Sequence, residues 1–191
     1  ATSNRHIEIV KYLIEQCYAN VEAKDKDGST PLHRASIYGH IEIVKYLIEQ
    51  CHANVESKDK DGSTPLHFAS MRGHIEIVKY LIEQRHVNVE SKDKDGRTPL
   101  HFASHNGHIE VVKYLIEQCH VNVEEKDNNG RTPLHFASEN GHIEVVKYLI
   151  EQCHANVEAK NNIGRTPLNN ASINGHIEVV KYLNEQCHAN V

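Results

Sequence analysis

The sequence lacks the features of a membrane protein and those of a chain with separate domains. None of its apolar runs approaches the roughly 20 residues that a membrane-spanning helix requires, and its first residues do not form a secretory signal peptide. The ten glycines and five prolines all fall at regularly spaced positions, so no linker rich in Gly, Ser or Pro interrupts the 191 residues. We therefore expect a water-soluble chain without membrane insertion and without an internal domain boundary.

The chain also lacks an excess of positive charge. Its net charge is −5, and charged residues of both signs, 25% of the total, are interleaved along the sequence. Proteins that bind nucleic acids need a basic surface to neutralise phosphate groups. The charge pattern therefore predicts no nucleic-acid partner.

Cysteine is confined to one position of a repeated pattern, at Cys17, Cys51, Cys119, Cys153 and Cys187. Packed helices lie about 8–10 Å apart, whereas a disulfide requires Cα atoms within about 7 Å. Free thiols are typical of a reducing compartment, so we expect the protein in the cytoplasm or the nucleus.

What the sequence does contain is one block that returns at a fixed step of 34 residues. The block Gly-Ser-Thr-Pro-Leu-His at residues 28–33 recurs at 62–67, 96–101 and 130–135, with Ser or Arg second, and in altered form at 164–169. This period predicts a single repeat domain over residues 1–191. It comprises a partial repeat (1–23), repeats 1 to 4 (24–57, 58–91, 92–125 and 126–159) and a slightly truncated repeat 5 (160–191). Both ends resemble cuts through a longer array.

Each repeat encodes a first helix, helix A. In repeat 1, Thr30 is a favourable N-cap and Pro31 suits the first helical position. Small side chains share one face of this helix: Leu32, Ala35 and Ser36. Gly39 is predicted to end helix A in the left-handed conformation.

A second helix, helix B, is predicted from about His40 to Cys51, with His52 as a left-handed cap. Its apolar arc is so wide that helix A and the neighbouring repeats must cover it together. In repeat 5, Asn184 enters this arc, where burying an unpaired amide would cost about 1–3 kcal/mol. We therefore expect that face of repeat 5 to be solvated.

The pattern Asp-x-x-Gly-x-Thr-Pro-Leu-His-x-Ala, followed by Gly-His-Ile-Glu-Ile-Val-Lys-x-Leu, resembles the ankyrin repeat over essentially all 191 residues. The resemblance implies an all-α solenoid of stacked helix-turn-helix units with projecting β-turn or hairpin loops. It also implies a structural, hydrogen-bonding role for the repeated histidines, such as His33 and His40. One departure is systematic, because Cys51-His52-Ala53-Asn54 replaces the shorter glycine-containing end that ankyrin helices usually have.

No residue pattern predicts a catalytic, cofactor or metal site. The sequence contains no Cys-x-x-Cys, and its Cys-His pairs occur once per repeat, too far apart to share a zinc ion. The Asp-x-x-Gly turns place Arg or Phe where a calcium loop needs Glu. No Gly-x-Ser-x-Gly or phosphate-binding Gly-rich loop is present. We expect neither an enzyme nor a cofactor-binding protein.

Positions that differ between repeats identify a candidate partner surface. The most variable pairs lie on the outward face of helix A: Ile37, Tyr38, Met71, Arg72, His105, Asn106, Glu139, Asn140, Ile173 and Asn174. A second row follows the turns and includes Arg97, Arg131 and Arg165. In a stacked array the two rows would align into an extended concave surface.

That surface suggests apolar anchors at Ile37, Tyr38 and Met71, with arginines for carboxylates or carbonyl groups. Drift at unconstrained positions is the alternative for the variable pairs, and an ordinary solvated edge is the alternative for the arginines. The phenylalanines of helix A, Phe68, Phe102 and Phe136, are expected to pack between repeats.

The sequence therefore predicts a monomeric scaffold that binds a protein partner on the concave face formed by helix A and the hairpin turns. A structural spacer or elastic array is one alternative, since repeats 3 and 4 differ at only five positions. A regulatory module of a larger enzyme is the other.

Overall fold

The computed structural model describes residues 2–186, and the side chains of residues 6–185. These residues form eleven α-helices and a closing π-helical turn (Tyr182–Gln186), with no strand among them. The helices are α1 (Thr2–Glu15), α2 (Pro31–Tyr38), α3 (Ile41–Glu49), α4 (Pro65–Arg72), α5 (Ile75–Arg85), α6 (Pro99–His105), α7 (Ile109–Glu117), α8 (Pro133–Glu139), α9 (Ile143–Glu151), α10 (Pro167–Ile173) and α11 (Ile177–Lys181).

The chain divides into two compact units, Ala1–Asn88 and Val89–Val191. In the N-terminal unit the A helices α2 and α4 pack together, each contacts its own B helix, and α1 lies against α3. In the C-terminal unit α8 packs between α6 and α10, and α9 contacts both α7 and α11. Within each unit, therefore, helix-turn-helix repeats stack in two layers, which confirms the predicted all-α repeat fold.

Helix A begins and ends where the repeated motif predicts. Thr30 has extended backbone (φ −83°, ψ 167°), Pro31 is the first helical residue, and Gly39 closes α2 in the left-handed region at φ 75°. A side chain at Gly39 is also excluded by packing, since an added Cβ would lie 2.6 Å from Cε1 of His74 in the next repeat. This glycine is therefore required both for its backbone conformation and for the close approach of a neighbour.

Helix B ends earlier than predicted in repeat 1, although α5 of repeat 2 reaches Arg85, the position equivalent to Cys51. In repeat 1 it spans Ile41–Glu49, with His40 as N-cap, so it ends two residues before Cys51. The closing turn is wider than an α-helical turn. The Cys51 N–H donates to the Tyr46 carbonyl, five residues earlier (3.3 Å), and the Ala53 N–H donates to the Leu47 carbonyl, six residues earlier (2.9 Å). The predicted cap is confirmed, since His52 is left-handed at φ 54°.

The core lies between the two helix layers. Val44 and Leu47 of α3 are fully buried, as are their equivalents in α5, α7 and α9. In repeat 5, Leu183 is buried whereas the adjacent Asn184 is exposed, which confirms the expected solvated position. Cys187, which we predicted to extend the row of cysteines, lies outside the described residues.

Candidate partner-binding surface

Within each compact unit, buried histidines join neighbouring repeats. In repeat 4, the Thr132 N–H donates to Nδ1 of His135 (3.2 Å), so the ring proton lies on Nε2, which donates to the Arg165 carbonyl (3.1 Å). His33 and His101 bridge in the same way to the carbonyls of Ser63 and Arg131. Burial lowers the pKa of all three histidines, that of His101 to about 4. These rings are neutral structural bridges at neutral pH.

The histidine that precedes helix B fixes the backbone of the variable pairs. Nε2 of His74 bonds the Ile37 carbonyl (3.0 Å), that of His142 the His105 carbonyl (2.9 Å), and that of His176 the Glu139 carbonyl (2.9 Å). Each acceptor is the first residue of a variable pair. This bond holds only the main chain at these positions, so their side chains can differ between repeats without its loss.

The turns stack on one another through their backbones. The Lys60 N–H donates to the Asp27 carbonyl (3.0 Å), and the Asn162 N–H donates to the Asn129 carbonyl (2.9 Å). Within each turn, the first side chain accepts two backbone N–H groups; for Asp127 these come from Asn129 (2.9 Å) and Arg131 (2.8 Å). Such Asx geometry holds the turn tips in fixed register.

Two of the three predicted arginines are held inside the scaffold. Nε of Arg131 lies 2.9 Å from Oδ2 of Asp127, whose side chain is 0% exposed. The guanidinium carbon of Arg131 also lies 4.2 Å from the ring centroid of Phe136. Arg97 makes the corresponding contacts with Asp93 and Phe102. Both arginines are thus committed to an internal ion pair and an aromatic ring.

Arg165 is different, because Asn161 stands where repeats 3 and 4 have aspartate. It is exposed, and its guanidinium forms no ion pair with any residue between 2 and 186. The repeat pattern alone predicts the same role for all three arginines. The exchange of aspartate for asparagine at position 161 was the visible signal that separates them.

Two phenylalanines of helix A, Phe68 and Phe136, pack between repeats, as predicted. The Phe68 ring meets His33 of the preceding repeat edge-on at 5.6 Å, and Phe136 meets His101 at 5.5 Å. Phe136 is also buried. These contacts shield the bridging histidines from water.

The variable side chains fall into two groups. Tyr38 and Ile173 are 64% and 60% exposed. Arg72 and His105 are also exposed, while Ile37, Met71 and Glu139 are half-buried. The asparagines, in contrast, close helix A: Nδ2 donates to the carbonyl four residues earlier from Asn106, Asn140 and Asn174, each at 2.9 Å. Their amides are engaged with the helix end.

In the C-terminal unit the helix A row and the turn row border the same pocket, of about 220 Å³. Helix A contributes Glu139 and Asn170, and the turns contribute Asn161 and Ile163. Ile163 is 71% exposed and occupies a turn position that is Asp or Asn in the earlier repeats. The turn row predicted from the sequence includes this position, although Ile163 is not among the predicted partner-binding residues.

On the outer face of helix B, tyrosine and glutamate side chains of neighbouring repeats pair with each other. The Tyr148 hydroxyl donates to Glu117 of the preceding repeat (2.8 Å), and Nζ of Lys113 lies 5.5 Å from the Tyr148 ring centroid. Tyr46, Tyr80 and Tyr182 donate to the equivalent glutamates. Because these groups bond one another between repeats, the helix A face is the better candidate for binding.

Over residues 2–186, no group of three or more His, Cys, Asp and Glu side chains is placed to hold a metal ion. Cys17, Cys51, Cys119 and Cys153 have free thiols. None of the described helices is both long and apolar enough to cross a membrane.

Comparison with known proteins identifies the repeat. A family model described as ankyrin repeats (3 copies) matches residues 1–59, 50–127 and 119–191, whereas a comparison with curated proteins gives no match. Ankyrin repeats are generally protein–protein interaction modules and are typically non-catalytic. The chain belongs to the ankyrin repeat family.

Proposed function

We propose that this chain is a scaffold that binds a protein partner through side chains of helix A and of the turns, and that it catalyses no reaction. The observation that supports this most strongly is that main-chain bonds join variable pairs to the next repeat, while the side chain at each of these positions varies. The next repeat bonds the main-chain carbonyl of Ile37, His105 and Glu139, so this bond does not depend on which side chain stands there and a partner can select the side chain.

Exposed apolar side chains of helix A and the turns supply anchors for a partner in each compact unit. Tyr38, Ile163 and Ile173 are 64%, 71% and 60% exposed. Full burial of one such side chain in an interface contributes roughly 1.5–3 kcal/mol before the costs of association. A few anchors of this size surrounded by polar groups are the usual composition of a protein interface.

The same proposal places the protein in a reducing compartment, the cytoplasm or the nucleus, because its described thiols are free. It requires no cofactor, and it treats the chain as a monomer that binds an unlike partner.

Site-specific photocrosslinking tests which face binds. A photoreactive amino acid at His105, exposed on helix A, should crosslink to a captured protein, whereas one at Glu110, exposed on helix B of the same repeat, should not. Mass spectrometry of the crosslinked species identifies the partner. Crosslinks from Glu110 alone would contradict the proposed face, and none from either position would favour a spacer.

A further inference from the structure

The turns of repeats 4 and 5 begin with different side chains, the carboxylate of Asp127 and the amide of Asn161. In repeat 4 the turn carboxylate uses Oδ1 for backbone N–H groups and Oδ2 for Nε of Arg131 (2.9 Å). In repeat 5, Oδ1 of Asn161 accepts the N–H groups of Ile163 (3.1 Å) and Arg165 (2.9 Å). The atom of Asn161 that corresponds to Oδ2 is therefore an NH₂ donor.

Two donors consequently occupy the place of an ion pair. The Asn161 amide and the Arg165 guanidinium both line the pocket of the C-terminal unit. Neither donates to a described residue, and two donors cannot bond each other. An acceptor with two oxygens can bond both at once, as the Asp127 carboxylate does for the groups around it.

We propose that this pocket binds the carboxylate of a glutamate or aspartate side chain from the protein partner, with Arg165 and Asn161 as donors. The inference rests on the proposed scaffold function and names the chemistry of the partner segment. Arginine binds carboxylates through two parallel N–H···O bonds, a geometry that lysine cannot supply.

The other charges of the pocket favour a peptide over a small anion. Glu139 has Oε2 buried without a hydrogen bond, 3.6 Å from Nη1 of Arg131. Arg131 is shared with Asp127, so this side of the pocket carries negative charge and lacks a donor. A peptide supplies both a carboxylate for Arg165 and backbone N–H groups for Glu139, whereas phosphate brings additional negative charge and few donors. Ile163 adds an apolar rim for the side-chain methylenes.

The test is an NMR titration of the full chain with N-acetylglutamate N-methylamide, matched against the glutamine analogue. We expect saturable shifts of the Arg165 Nε–H and Asn161 NH₂ signals with the glutamate probe, and binding about tenfold weaker or more with glutamine. Equal responses to the two probes would exclude a carboxylate site. Saturation by inorganic phosphate at a lower concentration than by the glutamate probe would assign the pocket to phosphate instead.

A substitution that restores the ion pair provides the sharper test. Asn161→Asp gives Arg165 an internal carboxylate, as in repeat 4, and should weaken binding of the glutamate probe about tenfold or more. Asn156→Asp is the matched control, because it adds the same charge at an exposed turn and keeps the Oδ1 acceptor for the Glu158 N–H (2.9 Å). It should leave the affinity within about twofold, since screened surface charges contribute little.

If both variants weakened binding of the glutamate probe equally, the effect would come from the added negative charge alone and the proposed site would be excluded. Unchanged binding by Asn161→Asp would also overturn the proposal. Either result is separable from the scaffold function. A partner that crosslinks at His105 and binds Asn161→Asp as tightly as the native chain leaves the scaffold in place and excludes this pocket.

Discussion

Repeats 4 and 5 have the same pair of helices and the same turn, but they use their polar groups differently. In repeat 4, Asp127 holds Arg131 and His135 bridges to the next repeat. Repeat 5 has asparagine at the equivalent positions, Asn161 and Asn169. Asn169 caps its helix by accepting the Thr166 N–H (3.0 Å). In repeat 4 the aspartate therefore ties its arginine to the turn and the histidine ties repeat 4 to repeat 5, whereas the two asparagines of repeat 5 cap the turn and the helix.

The largest expected effect of this difference is on stability in acid. The folded chain binds protons at its bridging histidines less readily than the unfolded chain does, because burial lowers their pKa from the usual 6.5. Their stabilisation is complete above about pH 6.5 and is lost as the pH falls towards the folded pKa. With a folded pKa of about 4, His101 alone accounts for a loss on the order of 3 kcal/mol.

Urea unfolding at steps between pH 7 and pH 4 measures this slope. His101→Asn makes repeat 3 resemble repeat 5 at this position and should flatten the decline, although it lowers stability at pH 7. A slope identical to that of the native chain would show that the bridging histidine does not cause the acid effect.

Removing a bridge should have the next largest effect. His135→Ala leaves the Thr132 N–H and the Arg165 carbonyl without their bonds and opens a cavity, so we expect the free energy of unfolding to fall by about 3 kcal/mol. Asn169→Ala removes only a cap and should cost about 1 kcal/mol. Urea unfolding of both variants at pH 7 makes the comparison, and equal losses would contradict it.

Converting the turn of repeat 4 to that of repeat 5 should cost less. Asp127→Asn keeps the Oδ1 acceptor but places an amide donor against Arg131, and we expect a loss of about 2 kcal/mol because the guanidinium keeps partial contact with water. The reverse change, Asn161→Asp, should stabilise by only about 0.5 kcal/mol because Arg165 is exposed. Calorimetric melting of both variants measures the two effects. If Asp127→Asn raised the stability of the protein instead, the buried carboxylate would be shown to destabilise the fold.

The smallest expected effect lies on the helix B face. Tyr148→Phe removes a hydroxyl that donates to Glu117 (2.8 Å) and should cost about 1 kcal/mol. Tyr12, at the same repeat position in α1, is 61% exposed, and Tyr12→Phe should change stability by less than about 0.3 kcal/mol. The difference between their unfolding midpoints in urea is the measurement.

Much of the fold could be predicted from the sequence because the repeat period gives each position several copies. Thr30, Pro31, Gly39 and His52 have the roles that their residue types indicate. The end of helix B in repeat 1 could not be placed, because Gln50 and Cys51 lie in a closing turn whose hydrogen bonds depend on the backbone path and not on their own helix propensity.

The candidate surface was less predictable. Variation between repeats selected the pairs on helix A, but it could not show that the Asn106 and Asn140 amides close the helix end. It also could not separate Arg131 from Arg165, because the burial of Asp127 depends on how the turns stack. The residue difference at position 161 was visible, but its consequence required the structure.

The measurement that tests the account most directly compares two matched pairs of exposed side chains in their affinity for the captured partner. Ile173 on helix A and Ile177 on helix B are both 60% exposed, and Tyr38 and Tyr18 are 64% and 88% exposed. The double variant Tyr38→Ala, Ile173→Ala should weaken binding about tenfold or more, whereas Tyr18→Ala, Ile177→Ala should leave it within about twofold. Equal losses, or a larger loss from the second variant, would contradict binding through the helix A and turn surface.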